Sequence, residues 1–136
     1  MDIQTRLRKL QKGGNWDCSN SANSLVQFTT TDNDFWITRL QTLMKKRNLG
    51  DPDIRIGVFG SCTRQIDVTD IDLLLVYRPK VSLDRMEKLK SALRMAIGQT
   101  YGLATDFVTF SANKASENPF IQEERVALVQ DWKAEP

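Results

Sequence analysis

A chain of 136 residues, 40% hydrophobic and 26% charged, has the size and balance of one folded domain with one core rather than of a disordered chain. Its formal net charge of +2 makes no case for nucleic acid or a membrane surface as partner. With no histidine and only Cys18 and Cys62, it excludes Ser-His-Asp and Cys-His catalysis, a disulfide framework and a Cys/His zinc site; carboxylates and metal ions are the natural catalytic groups, in a reduced, cytoplasmic protein.

The opening MDIQTRLRKLQKGG lacks the apolar core of a secretory signal. Ile3, Leu7 and Leu10 at helical spacing, with Arg8, Lys9 and Lys12 beside them and Gly13-Gly14 as a stop, predict a short basic amphipathic helix. Polar residues 13–24 predict a linker, and weak alternation over 26–30 a short strand, so residues 1–30 read as an extension to a domain over 31–136. Thr31-Asp32-Asn33-Asp34 resembles a capping box for a helix from Asn33 to Arg47, with Phe35, Trp36, Leu40, Leu43 and Met44 on its apolar face. Strands follow from Ile54 to Phe59 and from Ile71 to Tyr77. The second is apolar on both faces, as a covered central strand is; its run Leu73-Leu74-Leu75-Val76 is far too short to span a bilayer. Ser82 caps a helix carrying Leu83, Met86, Leu89, Leu93, Ala96 and Ile97 as far as Gly98. A third strand is expected from Ala104 to Phe110, and a last helix from Pro119 to Gln130 behind Asn118. The expected fold is α+β (α/β-like), a small mixed β-sheet flanked by helices.

Two stretches carry chemistry. Ile56-Gly57-Val58-Phe59-Gly60-Ser61 ends a strand in Gly-Ser, where a ligand can approach the backbone and the turn amides and serine hydroxyl can donate to phosphate oxygens. In Thr69-Asp70-Ile71-Asp72-Leu73-Leu74 the two aspartates are two residues apart at a strand start, so both carboxylates point to one face. Carboxylates gathered there repel one another unless a cation joins them, and magnesium is the usual hard partner. Asp106, at the start of the third strand, is placed to be a third ligand. No P-loop, G-x-G-x-x-G or calcium-loop pattern competes with this reading. Lys45-Lys46-Arg47 reads as a solvated helix end, Trp16, Trp36 and Trp132 as packing residues, and Cys62 as no nucleophile for want of a neighbouring base.

These residues resemble the DNA polymerase β-like nucleotidyltransferase superfamily, whose signature is Gly-Ser, a short spacer and Asp-x-Asp. Within it the chain is most similar to the minimal nucleotidyltransferases, the MNT group, through GVFGS, TDIDLLLVY, ATDFVTF and ENPFIQEERVAL, over about residues 33–130. The resemblance implies a nucleotidyltransferase fold and transfer of a nucleoside monophosphate, usually AMP from ATP, with two Mg2+ ions. By position, Gly60 and Ser61 would hold the triphosphate, with Arg64 near the family's loop arginine. Asp70 and Asp72 would bind both metals; Asp106 would bind one and help deprotonate the acceptor. The implied role is that of an antitoxin that adenylylates a tyrosine of a partner HEPN toxin. An aminoglycoside-like acceptor and a catalytically inactive binding antitoxin are the alternatives, the second kept open by a loop between Ser61 and Asp70 shorter than the family's. The resemblance leaves a homo-oligomer open.

Overall fold

The computed structural model describes residue 28 and residues 33–134, so the predicted N-terminal helix, the linker and most of the 26–30 strand lie outside the described residues. Helix α1 (Phe35–Lys46) starts two residues later than the sequence suggests. Asn33 Oδ1 accepts from the Phe35 amide at 3.1 Å, whereas Asp34, at the N-cap, makes no side-chain cap bond. The described half of the predicted capping box is thus a local Asx-type bond instead. Trp36, Leu40, Leu43 and Met44 are buried at helical spacing, and the Trp36 indole N–H donates to the Ile66 carbonyl at 2.8 Å, tying α1 to the loop that leads to the second strand.

Strands β1 (Ile54–Phe59) and β2 (Asp70–Tyr77) fall within a residue of their predicted bounds. Helix α2 (Leu83–Tyr101) has Ser82 Oγ accepting from the Arg85 amide, as expected, but runs through Gly98. A mid-helix glycine costs only about 1 kcal/mol, while Gly102, at φ 69°, supplies the left-handed C-cap that stops the helix. Strand β3 (Ala104–Ser111) leads directly into a short helix α3 (Ala112–Glu117), capped by Ser111 Oγ, which the sequence reading did not contain.

The largest correction is at the C-terminal end. The helix predicted from Pro119 to Gln130 is one turn, α4 (Phe120–Glu123); Arg125 takes φ 55°, and Ala127–Gln130 form strand β4. Val126 and Val129 are β-branched, and β4 pairs with the otherwise open side of β1, so sheet hydrogen bonds outweigh the local helical pattern.

The result is an α+β domain on a mixed four-stranded sheet of order β3-β2-β1-β4. β1 is antiparallel to β2 and β4, and β2 is parallel to β3. On one face Ile54, Ile56, Val58, Ile71, Leu73 and Leu75 pack under α1 and α2. On the other, Leu74 and Val76 meet Ala115, Ile121 and Val126, ringed by partly buried Phe28, Phe59, Val108, Phe110, Phe120 and Trp132. β2 is therefore covered on both sides, as its composition requires. Asp70 and Asp72 share the parity of Leu74 and Val76, which sets them on the less heavily covered face.

Charges close the opposite end of the sheet. Asp53, buried immediately before β1, accepts from Arg78 at 2.9 Å and Arg85 at 2.9 Å, with Lys80 at 3.3 Å. Arg85 also binds Asp51, and buried Arg55 forks onto Asp131 at 2.6 and 3.1 Å. Among the described residues no helix is long and apolar enough to cross a membrane.

Candidate metal centre

The site is assembled by strand register. Phe59, the last residue of β1, is opposite Asp72 on β2, and Asp72 is opposite Asp106 on β3. Asp70 lies two residues before Asp72 on the same face. The structure thus brings together all three aspartates read from the sequence: one carboxylate oxygen from each lies within 4.8 Å of the others. Asp106 is the third residue of β3, not its first, and is the most exposed of the three.

Gly60 and Ser61 open a turn of 3-10 helix, Gly60–Thr63, at the end of β1. The turn is held from inside: Thr63 Oγ1 donates to the Gly60 carbonyl at 2.8 Å, and the Ser61 carbonyl accepts from the Arg64 and Gln65 amides at 3.0 and 2.9 Å. Gly60 has φ 81°, and a Cβ on it would run into the Asp72 carboxylate. Glycine is required here by the metal-ligand candidate itself, as well as by the backbone. Gly60→Ala should therefore lower stability by about 1–2 kcal/mol, the left-handed penalty, and weaken divalent-cation binding by displacing Asp72. Denaturant melts and cation titration of the variant measure the two effects separately. Arg64 caps the turn with an exposed side chain that makes no hydrogen bond or ion pair among the described residues.

Electrostatically the cluster is unrelieved. Burial, then the charges of Asp70, Asp106 and Glu124, push the Asp72 carboxyl above the usual carboxylate range. Glu124 is the member that sequence reasoning missed. It lies in the segment read as a continuous helix and is the C-cap of α4. Cys62, beside Ser61, is 1% exposed; its Sγ donates to the Phe59 carbonyl at 3.3 Å, and burial pushes the thiol up to about 11. It is a packing residue, as the absence of a base implied.

Three carboxylates offer hard oxygen donors only, the set that suits Mg2+ over softer metals. Ligand oxygens about 2.1 Å from Mg2+ sit about 3–4 Å apart, so a span within 4.8 Å needs little contraction to grip an ion. Comparison with protein-family models, with curated proteins and with solved structures gave no match to this chain.

Proposed function

We propose that the protein is a magnesium-dependent nucleotidyltransferase that moves AMP from ATP onto a hydroxyl group, with a tyrosine of a HEPN-type partner protein as acceptor. The observation that supports this reading best is the convergence of Asp70, Asp72 and Asp106 from two paired strands beside the Gly60–Ser61 turn. The mixed sheet flanked by helices is consistent with a nucleotidyltransferase-like fold, and the motif resemblance supplies the nucleotide and the acceptor.

In this reading the acceptor oxygen forms a bond to the α-phosphorus of ATP, the bond from that phosphorus to the bridging oxygen breaks, and pyrophosphate leaves. Bound magnesium supplies positive charge to the attacking and leaving oxygens of such an in-line displacement. Gly60, lacking a side chain, lets the triphosphate approach the backbone, and the Ser61 hydroxyl and turn amides donate to its oxygens. Arg64 is exposed on the same turn and brings a cation to the leaving pyrophosphate. Asp106, the most exposed carboxylate, takes the proton of the acceptor hydroxyl.

The test is incubation of the chain with Mg-ATP and a HEPN-type partner that binds it, followed by mass spectrometry of the partner. The expected result is AMP on a partner tyrosine, lost when EDTA removes the metal. A tight complex with no modification in the presence of Mg-ATP would remove the enzymatic reading and leave a binding protein.

A further inference from the structure

The two edges of the sheet differ. β4 is four residues long, its pairing with β1 is irregular, and the Lys133 amide beyond it bonds to the Pro52 carbonyl at 2.8 Å. β3 pairs with β2 along all eight of its residues without a bulge, and it is the terminal strand of the sheet. Among the described residues, no backbone bond runs outward from Ala104–Ser111. The strand reads ATDFVTFS: no proline, no glycine, no lysine or arginine, and five successive partly buried residues from Phe107 to Ser111. Apart from exposed Asp106, this long, regular edge carries no proline, bulge or cation against strand pairing, and among the described residues no segment pairs with it; a row of open amides and carbonyls is satisfied best by another strand.

We propose that β3 is a self-association surface on which a second copy of this chain pairs its own β3 antiparallel about a two-fold axis, giving one continuous eight-stranded sheet. A second copy fits the sequence of the strand. Directly opposed residues in an antiparallel pair lie on the same face, so a two-fold axis normal to the sheet must pass through a residue and not between two. With the axis at Val108, the strand opposes Val108 to Val108, Phe107 to Thr109, Asp106 to Phe110 and Thr105 to Ser111. Three of these are favourable cross-strand types: β-branched with β-branched, aromatic with β-branched, and hydroxyl with hydroxyl. The single charge on the strand meets no like charge. The arrangement also places both carboxylate clusters on one face of the joined sheet, with Phe110 of the second copy across from each Asp106.

The axis makes the proposal testable residue by residue. In the full chain with Cys18→Ser, leaving only buried Cys62, Val108→Cys is expected to form an intermolecular disulfide on mild oxidation, because a residue on the axis meets its own copy at a distance a disulfide spans. Thr105→Cys and Phe110→Cys should cross-link at least about tenfold less, since each opposes a different residue. Sedimentation of the unmodified chain should show a dimer, and Val108→Lys should raise its dissociation constant about tenfold by opposing like charges. A monomer at high micromolar concentration, cross-linking indifferent to position, or a dimer only after residues 1–27 are removed would each overturn the proposal; the last would show that the N-terminal segment covers β3.

Discussion

Asp72→Asn should cut nucleotidyl transfer about 100- to 1,000-fold, the usual loss when one preorganised electrostatic group is removed, and should leave the metal-free protein more stable than the parent. The two effects share a cause. Burial and the neighbouring Asp70, Asp106 and Glu124 charges raise the folded-state pKa of Asp72 above its unfolded value. A carboxyl shifted that way favours folding when protonated, and the benefit is lost as pH rises through the folded pKa. At neutral pH the ionised side chain therefore opposes folding, and an uncharged isostere relieves it by about 1 kcal/mol, the size of a typical gain at a strained functional site. The stability gap should be widest near pH 7 and close as pH falls below the unfolded carboxylate range. Saturating Mg2+ should narrow it at pH 7 by stabilising only the parent. Thermal melts across pH, with and without Mg2+, read all three. A variant less stable than the parent at pH 7 without metal would contradict the repulsive cluster.

The opposite end of the sheet carries a second large effect of opposite sign. Burial raises the Asp53 carboxyl, but hydrogen bonds from Arg85, Arg78 and Lys80 outweigh it and hold the group at about 2, below the ordinary 3.8. That contribution is present above the unfolded pKa and is lost as pH falls from about 4 towards 2. The shift is worth about 2 kcal/mol on the conversion of 1.36 kcal/mol per pKa unit. Asp53→Asn leaves Arg78, itself buried, facing a neutral amide, and should cost about 3 kcal/mol. Urea melts at pH 7 and pH 3 test it: the variant should lose most at pH 7 and distinctly less at pH 3, where about half of that contribution is gone. Because Asp53 lies just before β1 and the candidate metal centre lies beyond its far end, the transfer rate of the folded variant should stay close to that of the parent.

The centre of the fold was legible because periodicity and punctuation agree there. Ile54–Phe59, Asp70–Tyr77 and the buried face of α1 follow from their apolar spacing, and the parity of Asp70 and Asp72 predicted a shared face. The failures have local causes. Gly98 looked like a helix stop, but the covered residues around it, Leu93, Ala96 and Ile97, carry the helix on to a true left-handed cap at Gly102. Residues 119–130 have helical composition, and only the unpaired side of β1 makes their last four a strand. The reason for Gly60 was half visible: a ligand approach can be read from sequence, but the clash with Asp72 exists only once β1 and β2 are paired.

In the proposed function, Asp70, Asp72 and Asp106 hold divalent cations for a nucleoside triphosphate. Titration with Mn2+ in place of Mg2+, followed by electron paramagnetic resonance with and without a non-hydrolysable ATP analogue, tests it without requiring an acceptor. The expected result is ion binding that tightens when the nucleotide is present and is lost in Asp70→Asn and Asp72→Asn. Binding that is absent with nucleotide, or unchanged in both variants, would contradict it.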